Sequence, residues 1–323
     1  MTPSKHAMTR AAGLAPSAED LGEELVGRLR EVFAPGRIGR ISRLCEAKDL
    51  ADDSTKLLIE STSGMPLAVG HCSPTIAPGK AAHDAELMHT ARAALGEELG
   101  RCIPEVLWEG EVGGTSCVVQ PYFRPFSRSR VLYKMQRLAL TPALFGWLRR
   151  VAEKTACDVE PDAGLHGALR VLSRAEGADA VVKEAAAEAA ERLASGSWAP
   201  RRVLMHGDLW MGNVLGGRPG GAPLSWALPG RFTVIDWGGL RLDGWPFRDL
   251  ITASASLAAP RRRLAGEVRA HARILGRPPE EARLHLAAAL AELGGDLGHF
   301  PYERYIEATN SMMGDLDRAL RPA

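Results

Sequence analysis

The sequence predicts an α+β protein of two lobes, a small β-rich N-terminal lobe and a larger helical C-terminal lobe. The chain has 323 residues, of which 46% are hydrophobic, and this is enough to bury a sizeable core. Short apolar runs separated by Gly and Pro dominate residues 1–121, whereas helical periodicity dominates residues 122–323. We therefore place the lobe boundary between these two segments. The polar segment 1–18 is expected to be mobile.

The elements of the N-terminal lobe follow from periodicity and turn residues. Leucines recur every fourth residue from Leu21, which predicts a helix that ends before Pro35-Gly36. Two apolar runs around Ser63-Gly64 predict a hairpin. The predicted elements are, in order, a helix at 19–33, hairpin strands at 56–61 and 66–72, a helix at 83–99, and short strands at 104–108 and 116–120.

The C-terminal lobe is predicted to be helical except for one hairpin. Apolar runs at 203–215 and 232–237 flank a Gly/Pro-rich loop at 216–230, and this pattern is typical of a long hairpin. The helices are expected at 141–155, 180–194, 247–258, 261–275, 280–293 and 303–320. A cleft between two such lobes would be a common place for a ligand.

Composition argues against several classes of protein. Forty basic residues balance 39 acidic ones, so the net charge is +1 and no nucleic-acid partner is expected. The sequence lacks a run of about 18 apolar residues and a signal-peptide core, so we expect a cytoplasmic protein with no membrane partner. The five cysteines form no CxxC pair, which argues against a disulfide framework or a thiolate zinc site.

The densest polar cluster lies between apolar runs at 205–213, and a second polar segment follows at 233–239. These segments contain Asp208, Asn213 and Asp236, which can converge where strands end. Two carboxylates and an amide suit Mg²⁺, and a carboxylate left free of metal could accept a proton from an alcohol. Alternatives remain: Asp208 and Asn213 can be turn residues, Asp236 a loop-end carboxylate, and His206 a metal ligand beside the two aspartates.

These residues resemble a known family. The motif His206-Gly-Asp-Leu-x-x-x-Asn213, followed by Ile235-Asp236-Trp237, is similar to that of the aminoglycoside phosphotransferases and choline-kinase-like small-molecule kinases. The five-residue interval from Asp208 to Asn213 matches the protein-kinase catalytic loop. The segment 244–250 is similar to the family's Gly-Asp-Pro-x-x-Asp-Leu element but has Trp245 where the family often has Asp.

The resemblance implies a protein-kinase-like fold, a phosphate donor and a role for each motif residue. Asp208 would be the catalytic base, and Asn213 and Asp236 would hold Mg²⁺ on the phosphates of ATP or GTP. His206 and Asp249 would support the loop. The partner would be a small molecule with a hydroxyl group, such as a sugar, an amino alcohol or an antibiotic-like natural product.

The N-terminal lobe fits the resemblance only in part. Glu86 would be the helix glutamate, and Val118–Tyr122 would be the hinge, with Gln120 and Tyr122 beside the nucleotide. Leu67-Ala-Val-Gly70 aligns with a strand whose fourth residue is lysine in the family, but here that residue is Gly70, or His71 if the register shifts by one.

Three explanations compete for the missing lysine. A different lysine can reach the phosphates, and Lys56 is preferred over Lys48 and Lys80. The nucleotide can bind differently, or phosphoryl transfer can be lost, which would leave a pseudokinase-type nucleotide-binding or scaffold protein. The segment 43–55 occupies the place of a phosphate loop without containing glycine, although its last two residues, Ser54 and Thr55, carry hydroxyl groups.

The site for the phosphate acceptor is expected against the helical lobe. Its candidate linings are the helix at 141–155, Trp210, Trp237 and the C-terminal helices. These helices carry both acidic residues and the run Arg261–Arg263, and this mixed charge does not indicate a polycationic acceptor.

Overall fold

The computed structural model describes residues 18–29, 32–34, 36–45, 54–74, 79–158, 163–217, 232–298 and 300–321. Residues 1–17, for which we expected mobility, Lys48 and residues 218–230 of the predicted loop lie outside the described residues. The chain forms two compact units, one made of the residues up to Ala85 with Glu105–Tyr122, the other of Glu86–Pro104 and Phe123–Ala323. The lobe boundary after residue 121 stays a prediction.

The first unit contains an antiparallel sheet of five strands in the order β1-β2-β3-β5-β4. Its elements are α1 (Ala18–Leu29), β1 (Ile38–Cys45), β2 (Thr55–Ser61), β3 (Pro66–Pro74), the start of α2 (Lys80–Gly100), β4 (Trp108–Val112) and β5 (Thr115–Pro121). The two predicted helices, the hairpin and the strand at 116–120 are confirmed. The buried Ser73 hydroxyl accepts a hydrogen bond from the Ala81 N–H at 2.9 Å, which fixes the start of α2 to the end of β3.

One face of this sheet forms the apolar core of the first unit. Leu57 of β2 and Val119 of β5 lie on that face and are buried with Leu25 and Leu29 of α1. Side chains alternate between the two faces of a strand. Gly70 pairs with Leu57, so Gly70 also faces this core.

Two predictions for the first unit are wrong. The strand expected at 104–108 is β4 at Trp108–Val112, and residues 104–107 lie outside it although the Leu107 N–H donates to the carbonyl of Val119 (2.8 Å). Residues 43–45, which we assigned to a phosphate loop, form the end of β1. Residues 46–53 of that loop lie outside the described residues, Ser54 is buried, and Thr55 is the first residue of β2.

The second unit is mainly helical. Its helices are the rest of α2, α3 (Arg130–Thr155), α4 (Ala163–Leu172), α5 (Ala180–Ala194), α6 (Arg248–Ser256), α7 (Arg261–Leu275), α8 (Ala282–Gly295) and α9 (Tyr302–Leu320). The six predicted helices are confirmed, although α3 begins earlier than expected. Helix α4, which the sequence analysis did not predict, packs against α5 and α8. None of the helices in the described part combines the length and apolarity needed to cross a membrane.

Two small sheets in the second unit carry the polar motifs. Strand β7 (Arg201–Met205) lies between β6 (Cys157–Asp158) and β10 (Arg241–Gly244). Strand β8 (Val214–Leu215) pairs antiparallel with β9 (Thr233–Val234), which confirms the predicted hairpin. The catalytic-loop motif therefore lies between β7 and β8, and Asp236 follows β9.

Candidate active site

A buried carboxylate holds the start of the loop that follows β7. Asp249, in the first turn of α6, accepts hydrogen bonds from the N–H groups of His206 (2.6 Å) and Gly207 (3.0 Å), one on each oxygen. Burial raises the pKa of Asp249, and the positive charge of Arg248 and the two N–H groups oppose that rise. The two backbone donors satisfy both carboxylate oxygens, so Asp249 fixes the direction in which the chain leaves β7.

His206 is buried, and both nitrogens of its ring are engaged. The Asp208 N–H donates to Nδ1 (3.2 Å), so Nδ1 carries no hydrogen and Nε2–H donates to the carbonyl of Ile235 (3.0 Å). The ring lies edge-on to Trp237, with centroids 4.6 Å apart. His206 thus ties the loop to the segment after β9, and this geometry leaves neither nitrogen for a metal ion.

The backbone of the loop lies directly against the turn after Asp236. A Cβ atom on Gly207 would lie 2.3 Å from the carbonyl oxygen of Gly239, and Gly207 has a φ of +88°. Both the close approach and the positive φ require glycine at this position. The Gly in the motif therefore serves packing between the two polar segments.

Asp208 and Asn213 are hydrogen-bonded to each other across the loop. Asn213 Nδ2 donates to the main-chain carbonyl of Asp208 (2.8 Å) and to its Oδ2 (3.0 Å). Because the amide nitrogen is used in this way, Asn213 Oδ1 is the atom left to face a ligand. Asn213 is buried and Asp208 is exposed, so a fixed amide orients a carboxylate that a substrate can reach.

Asp236 is brought next to Asn213 by the β8–β9 pair. The Ile235 N–H donates to the carbonyl of Asn213 at 2.9 Å, and Asp236 is the next residue. Asp236 is exposed and has left-handed backbone angles (φ 64°, ψ 65°), which for a residue other than glycine cost about 1 kcal/mol. Trp237 anchors the turn, because it is fully buried and its Nε1–H donates to the carbonyl of Val234 (2.8 Å).

The donor atoms that remain are those that Mg²⁺ prefers. Asn213 Oδ1 and the Asp236 carboxylate are oxygen ligands, and Mg²⁺ in phosphate-transfer sites commonly uses one or two protein oxygens, with phosphates and water completing the octahedron. Within the described residues no group of three or more His, Cys, Asp and Glu side chains could hold a metal by itself. The residues present fit a metal held jointly by protein and phosphate.

A pocket of about 470 Å³ opens beside Asp208. The loop contributes Gly207, Asp208 and Trp210 to its wall, and α6, α8, α9 and Phe300 form the remainder. Trp210 and the C-terminal helices thus lie where the sequence analysis placed a binding site. Neither Trp237 nor any residue of 141–155 is among the described residues that line it, so those two predictions are wrong for this pocket. Their apolar side chains form the core instead, and Trp147 packs edge-on to Trp237.

The structure also places the candidates for the missing strand lysine. Lys56 and His71 are directly paired across β2 and β3, on the face opposite the core. A Cβ on Gly70 would lie 3.6 Å from Leu25 and 3.7 Å from Leu57, so a lysine there would enter the apolar core. Gly70 therefore does not occupy a lysine-like position, and Lys56 and His71 are the polar side chains at this level of the sheet.

The predicted hinge residues lie at the end of β5. Gln120 is nearly buried and pairs with Val69, and the Tyr122 N–H donates to the carbonyl of Leu67 at 2.9 Å. Because that N–H is already engaged, it is not available to a nucleotide base. The contribution of Gln120 and Tyr122 to nucleotide binding stays a prediction.

Comparison with known proteins gives a fold. No family model and no curated protein matches the chain. Among solved structures, aminoglycoside phosphotransferase APH(4)-Ia in complex with ADP and hygromycin B matches 92% of this chain and 99% of its own, at 14% identity and a TM-score of 0.50. Choline kinase LicA from Streptococcus pneumoniae matches 91% of this chain and 99% of its own, at 12% identity and a TM-score of 0.50. The chain shares the fold of these two kinases. The fold class predicted from the sequence is thereby confirmed.

The structure places the acidic residue that was predicted on helix α2 away from the buried face of that helix. Glu86 is exposed, because the buried face of α2 is formed by Ala81, Ala85 and Met88. Asp84 is partly buried, and its carboxylate lies 3.5 Å from Lys80 Nζ. The sequence analysis missed Asp84, although its place in the helical period relative to Ala81 and Ala85 could have revealed it. The role assigned to Glu86 stays a prediction.

Proposed function

We propose that the protein transfers the γ-phosphate of ATP to a hydroxyl group of a small molecule. The observation that carries this proposal is the arrangement around Asp208, an exposed carboxylate on a buried loop, hydrogen-bonded to Asn213 and opening onto a pocket of about 470 Å³. The likeness in fold to an aminoglycoside phosphotransferase and a choline kinase supports the same function.

In this function Asp208 acts as the general base. The acceptor hydroxyl gives its proton to the Asp208 carboxylate as its oxygen bonds to the γ-phosphorus. The bond between the γ-phosphorus and the bridging oxygen breaks, and ADP leaves with the electron pair. The hydrogen bond from Asn213 holds the carboxylate in one orientation, so that most of the protein's contribution is positioning.

The other motif residues hold the phosphates and the loop. Asn213 Oδ1 and the Asp236 carboxylate would hold Mg²⁺, which would neutralise charge on the donor phosphates. His206 and Asp249 keep the loop in place through their hydrogen bonds to the backbone.

Nucleotide contacts are assigned to four residues of the predicted N-terminal lobe. Lys56 is the proposed phosphate-binding cation, since it lies on the face of the sheet opposite the apolar core and is paired with His71. Gln120 and Tyr122 would lie near the base, and Glu86 would act as the helix carboxylate. ATP is the proposed donor, and parallel assays with GTP test that choice.

A second candidate function is nucleotide binding without transfer. The sequence of β3 favours it, because the two residues that could stand for the family's lysine are Gly70, which faces the apolar core, and His71. The hydrogen-bonded pair of Asp208 and Asn213 favours transfer, since a scaffold does not require an oriented and exposed carboxylate.

The two functions are separated by a turnover assay on the full-length protein. The protein is incubated with Mg²⁺-ATP and a library of small alcohols, and phosphorus NMR detects ADP together with a new phosphate ester. Replacing Asp208 by Asn should lower turnover about 10²- to 10⁴-fold while nucleotide binding persists. Asp243→Asn, at an exposed carboxylate on β10, is the matched control and should retain activity. Nucleotide binding with no product from any alcohol would favour the second candidate.

A further inference from the structure

The pocket beside Asp208 has mainly apolar walls. Two exposed aromatic side chains line this pocket. The accessible fraction is 47% for Trp210 and 49% for Phe300. Leu293 and Met312 add aliphatic surface between them. Large aromatic side chains exposed within one pocket indicate a site that an apolar group covers when it is occupied.

Few charged side chains line the pocket, and they differ in whether they already have a partner. Besides Asp208, its described lining contains one acidic residue, Asp315, which is paired with Arg318. The remaining charge is Arg248, the first residue of α6, which is half-buried. Across the part of the chain that the structure describes, no ion pair or hydrogen bond engages the Arg248 guanidinium, although its charge lowers the pKa of neighbouring Asp249.

We propose that the phosphate acceptor is an alcohol with an apolar, partly aromatic body and an acidic group close to its hydroxyl. The apolar body would lie against Trp210, Phe300 and Met312, and Arg248 would bind the acidic group. This inference rests on the proposed phosphotransfer, since it uses the same pocket beside Asp208. A polycation is disfavoured, because Asp315 is already paired and Arg248 would repel it.

The position of Arg248 explains why an acidic acceptor is expected to be preferred over a cationic one. It lines the same pocket as Gly207 and Asp208, so an acidic group bound to it would hold a neighbouring hydroxyl beside the proposed catalytic carboxylate. A guanidinium can form two parallel hydrogen bonds to a carboxylate, which fixes orientation as well as affinity. Arg248 would therefore determine specificity without taking part in proton transfer.

Three aromatic alcohols of similar size and different charge test the proposal. Phenyllactate is acidic, phenylpropanediol is neutral and phenylalaninol is cationic. Ligand-observed NMR on the full-length protein measures their dissociation constants. Phenyllactate should bind about tenfold more tightly than phenylpropanediol, because it adds one hydrogen-bonded charge pair with Arg248. Phenylalaninol should bind most weakly.

Variants at Arg248 then assign the preference to that side chain. Arg248→Met should bring the affinity for phenyllactate down to that for the diol and leave the diol unchanged, and Arg248→Glu should reverse the order of acid and amine. Arg269→Met removes the same charge from an exposed position on α7 and should change nothing. The melting temperature of each variant identifies any loss of folding.

Three results would overturn the inference. These are tightest binding of phenylalaninol, an unchanged acid-to-diol ratio in Arg248→Met, or no binding of any of the three alcohols at millimolar concentration. ADP release is measured in the same samples to separate this inference from the proposed function. If the three alcohols bind in the predicted order but no phosphate is transferred, only the proposed phosphotransferase function is contradicted. If phosphate is transferred to polycationic acceptors alone, only the proposed class of acceptor is contradicted.

Discussion

A single substitution at the buried carboxylate of Asp249 tests whether this side chain supports the loop that follows β7. In Asp249→Asn an amide group replaces one carboxylate oxygen, so the N–H of either His206 or Gly207 loses its acceptor. A hydrogen bond to a charged group contributes about 1.5–3 kcal/mol, and the buried N–H has no water to replace it. We therefore expect the free energy of unfolding to fall by about 1.5–3 kcal/mol.

Urea unfolding at neutral pH, followed by tryptophan fluorescence and by circular dichroism, measures this change. Asp243→Asn makes the same substitution at a carboxylate whose side chain is 57% exposed, and it should stay within about 0.5 kcal/mol of the wild type. The dependence of the free energy on urea should be the same for all three proteins. Equal stability of Asp249→Asn and the wild type would refute the idea that this carboxylate holds the loop.

Two further predictions concern stability. Burial lowers the pKa of His271 and His285 from 6.5 to about 4. As the pH falls, the two histidines are protonated in the unfolded chain before they are protonated in the folded protein. The free energy of unfolding therefore falls between about pH 6.5 and pH 4, by about 2 kcal/mol per histidine at pH ~5. Urea titrations at both ends of that range should show the loss, and His285→Gln should remove half of it; a flat profile would contradict the burial of neutral imidazoles. Gly207→Ala should lower the melting temperature well beyond Gly196→Ala, since both glycines have positive φ but only Gly207 has a backbone oxygen 2.3 Å from the added carbon. Equal shifts would show that the close approach to Gly239 is unimportant.

The parts of the fold with a strong local pattern could be predicted from the sequence. The hairpin of β2 and β3 has two apolar runs and a Ser-Gly turn, and the amphipathic helices have clear periods. Strand β1 was missed because it is an edge strand with mostly exposed side chains, which leaves no alternation to detect. Strand β4 was misplaced for two reasons. Gly110 interrupts the pattern of the strand itself, and the apolar residues before Trp108 are partly buried although they are not part of the β4–β5 ladder.

The candidate site, like the fold, could be predicted from the sequence only in part. Asp208, Asn213 and Asp236 lie in two short segments, so their spacing alone indicated a common site. The walls of the pocket come from distant positions, including Arg248 and Phe300, and no local pattern joins residues that meet only after helices α6 and α9 have packed. For helix α2, the family resemblance indicated Glu86, whereas only the packed face of the helix distinguishes it from the partly buried Asp84.

Asp236 and Asn213 are proposed to bind a metal–nucleotide complex although β3 has neither a lysine at Gly70 nor one at His71. Thermal unfolding of the wild type and of Asp236→Asn, each with Mg²⁺-ATP and with ATP and a chelator, tests it most directly. At about 100 times its dissociation constant Mg²⁺-ATP should stabilise the wild type by about 2.7 kcal/mol, and much less without the metal. The account predicts that Asp236→Asn loses the Mg²⁺-dependent part of this stabilisation. The same Mg²⁺-dependent shift in both proteins, or no shift with any nucleotide, would contradict it.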